Sequence, residues 1–186
     1  MNKQSNSDHS VNKTNFSTRD LVVSALLFAM AIALGMFENA LPPMPTPIPM
    51  RYGLSNIAVM YALFFLGAPI AYIIAFLKSS FAVMTRGLIA GLTSLSGGLL
   101  SITCMYLLNR LSKNKASYSL LGITGALTHN LGQYFFIILI DYLRLPVLTI
   151  LPMLFFTGVG TGLLSSALLR AALPALKRLH YFKRKI

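Results

Sequence analysis

A lysine, a histidine and two amides interrupt otherwise apolar stretches of this chain, and they are the residues able to do chemistry. Lys78 lies inside a stretch that is uncharged from residue 53 to 77 and apolar again beyond it. An ammonium in an apolar helix needs a counter-charge, a path by which its stem carries the charge back to water, or an anionic ligand. The second group is Gly122, Ala126, His129 and Gln133. Their offsets of 0, 4, 7 and 11 place them on one helical face, with Asn130 beside it. Polar groups on such a face must point into the protein and be hydrogen-bonded. They act either as glue between helices or as the lining of a ligand pocket.

Recognition, not bond-breaking, is the chemistry this set supports. Glu38 and Asp141 stand against Arg51, Lys78, Arg86 and Arg144 in one half of the chain's helices, an excess of two positive charges. Glu38, Arg51, Asn56 and Arg86 therefore join Lys78, His129, Asn130 and Gln133 as candidate substrate-binding residues. The expected solute is anionic or phosphate-bearing, partly aromatic or prenylated. It would rest against an apolar wall that includes Tyr134 and Phe136, as small-molecule sites combine apolar walls with a few placed polar groups. A catalytic role is not expected. The sequence has no P-loop, no Gly-x-Ser-x-Gly and no His-Glu-x-x-His. No two of its four acids lie close enough to form a local magnesium–diphosphate motif. A metal site is not expected either, because His9 and His180 lie in the tails.

Composition decides where these residues sit. Of 186 residues, 55% are apolar and 11% charged, where soluble domains carry about 25% charged. Mean hydropathy is +0.68. So few polar side chains cannot cover a water-soluble globule, and the reading is an all-α, polytopic protein of the cell membrane. The single cysteine, Cys104, rules out a disulfide scaffold. A net charge of +12 would suggest nucleic acid in a soluble chain. Here the basic residues gather beside apolar runs, as the positive-inside rule requires, so the partner is the lipid bilayer and not nucleic acid.

The elements follow from the apolar runs. Residues 1–18 read as a disordered tail. Leu21–Phe37 is a first helix, too long for a signal-peptide core and without a convincing cleavage site. Five of the eight residues 42–49 are proline, which predicts a stiff, extended loop able to act as a lid. Gly67-Ala68-Pro69 divides the next region into helices over about 53–66 and 69–85. Further helices are expected over 87–109, 116–140 and 145 to about 175. The domain division is thus a tail (1–18), a six-helix membrane domain (19–176) and a basic tail (177–186). With both termini cytoplasmic, twelve basic residues fall inside and three outside, with Lys78 within a helix. An odd number of spans would put the two basic tails on opposite faces, so six transmembrane helices are expected.

Small residues complete the pattern. Ala25, Ala29 and Ala33 make a narrow stripe on the first helix, and such stripes let helices approach closely in lipid. The stripe serves either packing within this protein or docking of a partner membrane subunit. The glycines at 87, 91, 97 and 98 and at 158, 160 and 162 are expected to serve helix packing.

The runs RYGLSNIAVMYAL (51–63), SLSGGLLSITCM (94–105) and GALTHNLGQ (125–133) resemble the Gx transporter family, also labelled heptaprenyl diphosphate synthase component I. The resemblance covers about residues 20–175, and its Gly-Ala-x-x-His-Asn-x-Gly-Gln signature is its most specific part. It implies the six-helix fold of the substrate-binding S components of energy-coupling factor (ECF) transporters, which capture a vitamin-like solute and dock on a shared membrane subunit driven by two ATPases. ATP would then act only through those partner subunits, with no cofactor bound covalently here. The docking stripe typical of such proteins would be Ala25, Ala29 and Ala33. The synthase label sits poorly with a chain that has no aspartate-rich motif. A non-transporting accessory role in prenyl-diphosphate or quinone synthesis, or in flavin- or quinone-linked electron transfer, is the alternative.

Overall fold

The structure, a computed structural model, describes residues 18–42, 52–140 and 147–179. Among them all regular structure is α-helical, in six elements: α1 (Thr18–Ala40), α2 (Asn56–Phe65), α3 (Ala68–Arg86), α4 (Leu88–Leu111), α5 (Tyr118–Ile140) and α6 (Val147–Leu179). The six-helix, all-α membrane fold expected from the apolar runs is what forms. The expected tails fall almost wholly outside the described residues, except that α1 begins at Thr18 and α6 runs past residue 176 to Leu179. The proline-rich lid lies outside them beyond Pro42.

Five helices are long and apolar enough to cross a membrane. The second is not. At ten residues and about 1.5 Å rise per residue it spans half of a hydrocarbon core about 30 Å thick. Instead it is the centre of the bundle, with all nine residues from Ile57 to Phe65 buried. It packs against α1, α3, α4 and α6. An apolar helix hydrophobic on every side is stable only when surrounded, and here the other helices surround it. Two glycines with positive φ, Gly67 (+106°) and Gly87 (+91°), make the sharp reversals into α3 and α4, a backbone conformation that glycine adopts without a Cβ clash.

Neighbouring helices run antiparallel and meet at small residues. A Cβ on Gly97 would lie 2.8 Å from the His129 carbonyl oxygen, and one on Gly132 would lie 2.9 Å from the Gly97 Cα. Ser96 Oγ donates to the Gly132 carbonyl at 2.6 Å across the same crossing. A Cβ on Gly91 would lie 2.9 Å from the Ser79 carbonyl oxygen on α3. The packing role expected of the glycine clusters therefore describes Gly91, Gly97, Gly158 and Gly162. It does not describe Gly87 or Gly160, which are exposed and face open space; Gly87 serves the turn between α3 and α4 instead.

The position of α1 bears on function. It packs on α2 and α3 at one edge of the bundle, through Val23, Leu27 and Ala31. Ala25, Ala29 and Ala33 lie on the opposite face and all three are exposed. Internal packing of the stripe, one of its two readings, is thereby overturned.

Candidate functional site

A polar cavity opens in this apolar bundle between the starts of α2 and α6's middle, at the end that carries the α1–α2 loop. It holds about 570 Å³ of empty space including its mouth.

Six of the eight candidate residues line it: Glu38, Asn56, Lys78, His129, Asn130 and Gln133. Every helix contributes something. The α5 face read from its spacing is present in full, since Gly122, Ala126, His129 and Gln133 all line the cavity. His129 and Asn130 are buried, and Gly97 lets α4 close directly over the His129 turn. Lys78 is not left to snorkel alone. Its Nζ donates to Asn56 Oδ1 at 2.7 Å and to Ser55 Oγ at 3.2 Å, so an ammonium from α3 is tied to the first turn of α2. Glu38, in the last turn of α1, is buried and accepts the Gly53 backbone N–H through Oε1. Tyr52 Oη donates to the Pro42 carbonyl at 2.8 Å. The two described ends of the α1–α2 connection are therefore tied to each other, beside the cavity that Glu38 and Gly53 line.

Three expectations need correction or fall outside. Arg86 does not reach the cavity. It lines a second groove, about 330 Å³ including its mouth, between α1 and α3, because it sits at the exposed C-terminus of α3, two turns beyond Lys78. That groove shares Ser55 and Lys78 with the cavity. Tyr134 and Phe136 form no wall of the cavity. Tyr134 is buried against Ile150 and Leu154 of α6, since one residue past Gln133 is a rotation of about 100° around the helix. Arg51 lies outside the described residues. The apolar lining is instead Met60, Met105 and Ala126.

The hydroxyls escaped the sequence reading. Ser94, Ser101, Thr161 and Ser165 are buried on the cavity wall. A signal for them existed, since Ser94 and Ser101 are seven residues apart and Thr161 and Ser165 four apart, each pair on one helical face. Small hydroxyls among glycines resemble packing residues, which hid them. Thr161 also bonds its own helix, donating to the Thr157 carbonyl at 2.8 Å.

Among the described residues no group of three or more His, Cys, Asp or Glu could hold a metal ion. What the wall offers is one carboxylate, one ammonium, an imidazole, three amides and several hydroxyls, enough to orient a small polar solute from several sides.

Comparison with known proteins gives the fold a relative. A solved structure described as the S component of a bacterial ECF transporter superposes with a TM-score of 0.52. The match covers 86% of this chain and 94% of that one at 18% identity, a likeness of fold. No curated protein matches the chain. The model of one family matches residues 27–172, which include the α5 signature, the whole of α2 and all the described cavity residues. The chain belongs to the heptaprenyl diphosphate synthase component I family.

Proposed function

We propose that this chain is the substrate-binding membrane subunit of an ECF-type transporter, holding a small vitamin- or cofactor-like, anionic solute in the central cavity. The observation that carries this reading is the convergence of Glu38, Asn56, Lys78, His129, Asn130 and Gln133, from four helices, on one cavity. Helix glue needs pairs of polar groups and no shared space. The S-component-like fold supports the same reading. In it, His129, Asn130 and Gln133 bond the solute from α5, Lys78 and Asn56 hold its anionic part, and ATP is hydrolysed by partner ATPases. The chain itself is not an enzyme in this reading. Its test is purification from native membranes with bound proteins and solutes, followed by mass spectrometry. A solute together with an energy-coupling membrane subunit is the expected recovery.

The groove between α1 and α3 favours a second reading, a non-transporting accessory protein of prenyl or quinone metabolism, because it has apolar walls at Ile32, Met36 and Phe81. Recovery of a prenylated lipid without any coupling subunit would select it.

Docking belongs to the same proposal. Ala25, Ala29 and Ala33 face away from the bundle on a helix whose membrane stretch is only 17% buried. A partner helix can approach this stripe closely. Ala29→Leu is expected to abolish co-purification of the coupling subunit while leaving thermal unfolding unchanged, because no described neighbour of this chain occupies that face. An unaltered complex yield would remove the stripe from the interface.

The proposed topology puts both termini in the cytoplasm. In a chain with Cys104 replaced by serine, a cysteine at Pro45 is expected to react with a membrane-impermeant reagent in intact cells. Cysteines at Ser7 or Lys183 are expected to stay silent. Labelling of either tail would reverse the orientation.

A further inference from the structure

We propose that the solute of the central cavity is amphoteric, with an N–H donor end received by Glu38 and an anionic end held by Lys78 and Asn56. The inference rests on the reading of the cavity as a solute site and narrows the class of solute. Glu38 is 5% exposed and lines the cavity. Its Oε1 accepts the Gly53 N–H. Its Oε2 is equally buried, and nothing among the described residues donates to it. A buried carboxylate oxygen without a donor is unfavourable, more so in a protein surrounded by lipid. The donor that satisfies Oε2 is supplied by whatever fills the cavity.

Charge balance points the same way. The cavity wall carries one carboxylate, Glu38, and one ammonium, Lys78. A purely anionic solute would set its charge against Glu38 as well as toward Lys78, whereas one carrying both signs keeps every buried charge opposite its complement. The two groups are also close along the chain they grip. Glu38 holds Gly53 and Lys78 holds Asn56, three residues further on. The donor and anionic ends of the solute are therefore separated by only a few bonds.

Phosphoethanolamine and ethyl phosphate test this directly. They share the same anion, and only the first carries an ammonium. Each is titrated by calorimetry into the purified full-length protein, with thermal unfolding as a second readout. Wild type is expected to bind phosphoethanolamine about ten-fold or more tighter than ethyl phosphate, the scale of one charge-assisted hydrogen bond. Glu38→Gln should erase that preference, because the amide oxygen keeps the Gly53 contact while the second acceptor is lost. Lys78→Met should weaken both probes alike. Equal affinity of wild type for the two probes, or an unchanged preference in folded Glu38→Gln, overturns the inference and leaves the solute-site reading intact. Should Glu38→Gln fail to fold, the comparison of the two probes on wild type still decides. Binding of neither probe to wild type overturns both the inference and the reading of the cavity as an anion-holding solute site.

Discussion

Replacing Lys78 by methionine is expected to weaken binding of the co-purified solute by about 10- to 150-fold. Hydrogen bonds to charged groups contribute about 1.5–3 kcal/mol each, and every 1.4 kcal/mol is about a factor of ten. Methionine keeps the length and flexibility of the stem that crosses between α3 and α2, and removes the ammonium. The substitution also takes a donor from Asn56 and Ser55, so thermal unfolding must be followed alongside calorimetry. His129→Ala is expected to fall in the same direction with a smaller loss, since a typical hydrogen bond contributes about 0.5–1.5 kcal/mol. Gly97 already meets the His129 ring and carbonyl, so truncating the ring loosens the α4–α5 crossing only at one point. If both folded variants bind as tightly as wild type, the solute sits elsewhere and these residues hold helices together.

The second large effect is on stability. Gly162→Ala is expected to destabilise the protein by about 1–3 kcal/mol, the usual range for extra atoms forced into a packed interior. A Cβ there would meet the Ile123 Cα at 2.5 Å and the Gly122 carbonyl oxygen at 2.8 Å, both backbone atoms of α5 that can move only if the whole helix does. Gly160→Ala, two residues earlier on the same helix, is the control with the opposite sign. A Cβ there meets nothing within 4 Å, so the change should be neutral or stabilising by up to about 1 kcal/mol through helix propensity. Thermal unfolding in one detergent compares the two. Equal effects would mean that α5 and α6 do not cross at this glycine. Because α5 carries His129 and α6 carries Thr161 and Ser165, a loosened crossing should also open the cavity wall and lower solute affinity.

What the sequence by itself determined was local. Apolar run length and net hydropathy specify membrane helices, and a period of 3.6 residues specifies which polar groups share a face. Hence the helix boundaries and the Gly122–Ala126–His129–Gln133 face were legible without a structure. Direction was not. In water an apolar stripe points to the core, but lipid is as apolar as a protein interior, so hydrophobicity does not tell which side of a membrane helix meets lipid and which meets protein. That is why the alanine stripe of α1 kept two readings until the packing of Val23, Leu27 and Ala31 turned it outward. It is why Tyr134 was expected on the cavity and packs on α6 instead. The apolar run that became α2 carried no mark of its depth; only enclosure by four other helices makes a ten-residue helix stable there. The tertiary structure alone decided that Glu38 and Lys78, forty residues apart in the chain, grip neighbouring points at the entrance to α2 and face one cavity. Such a meeting depends on how α1 and α3 pack around α2, and no spacing along a single helix encodes it.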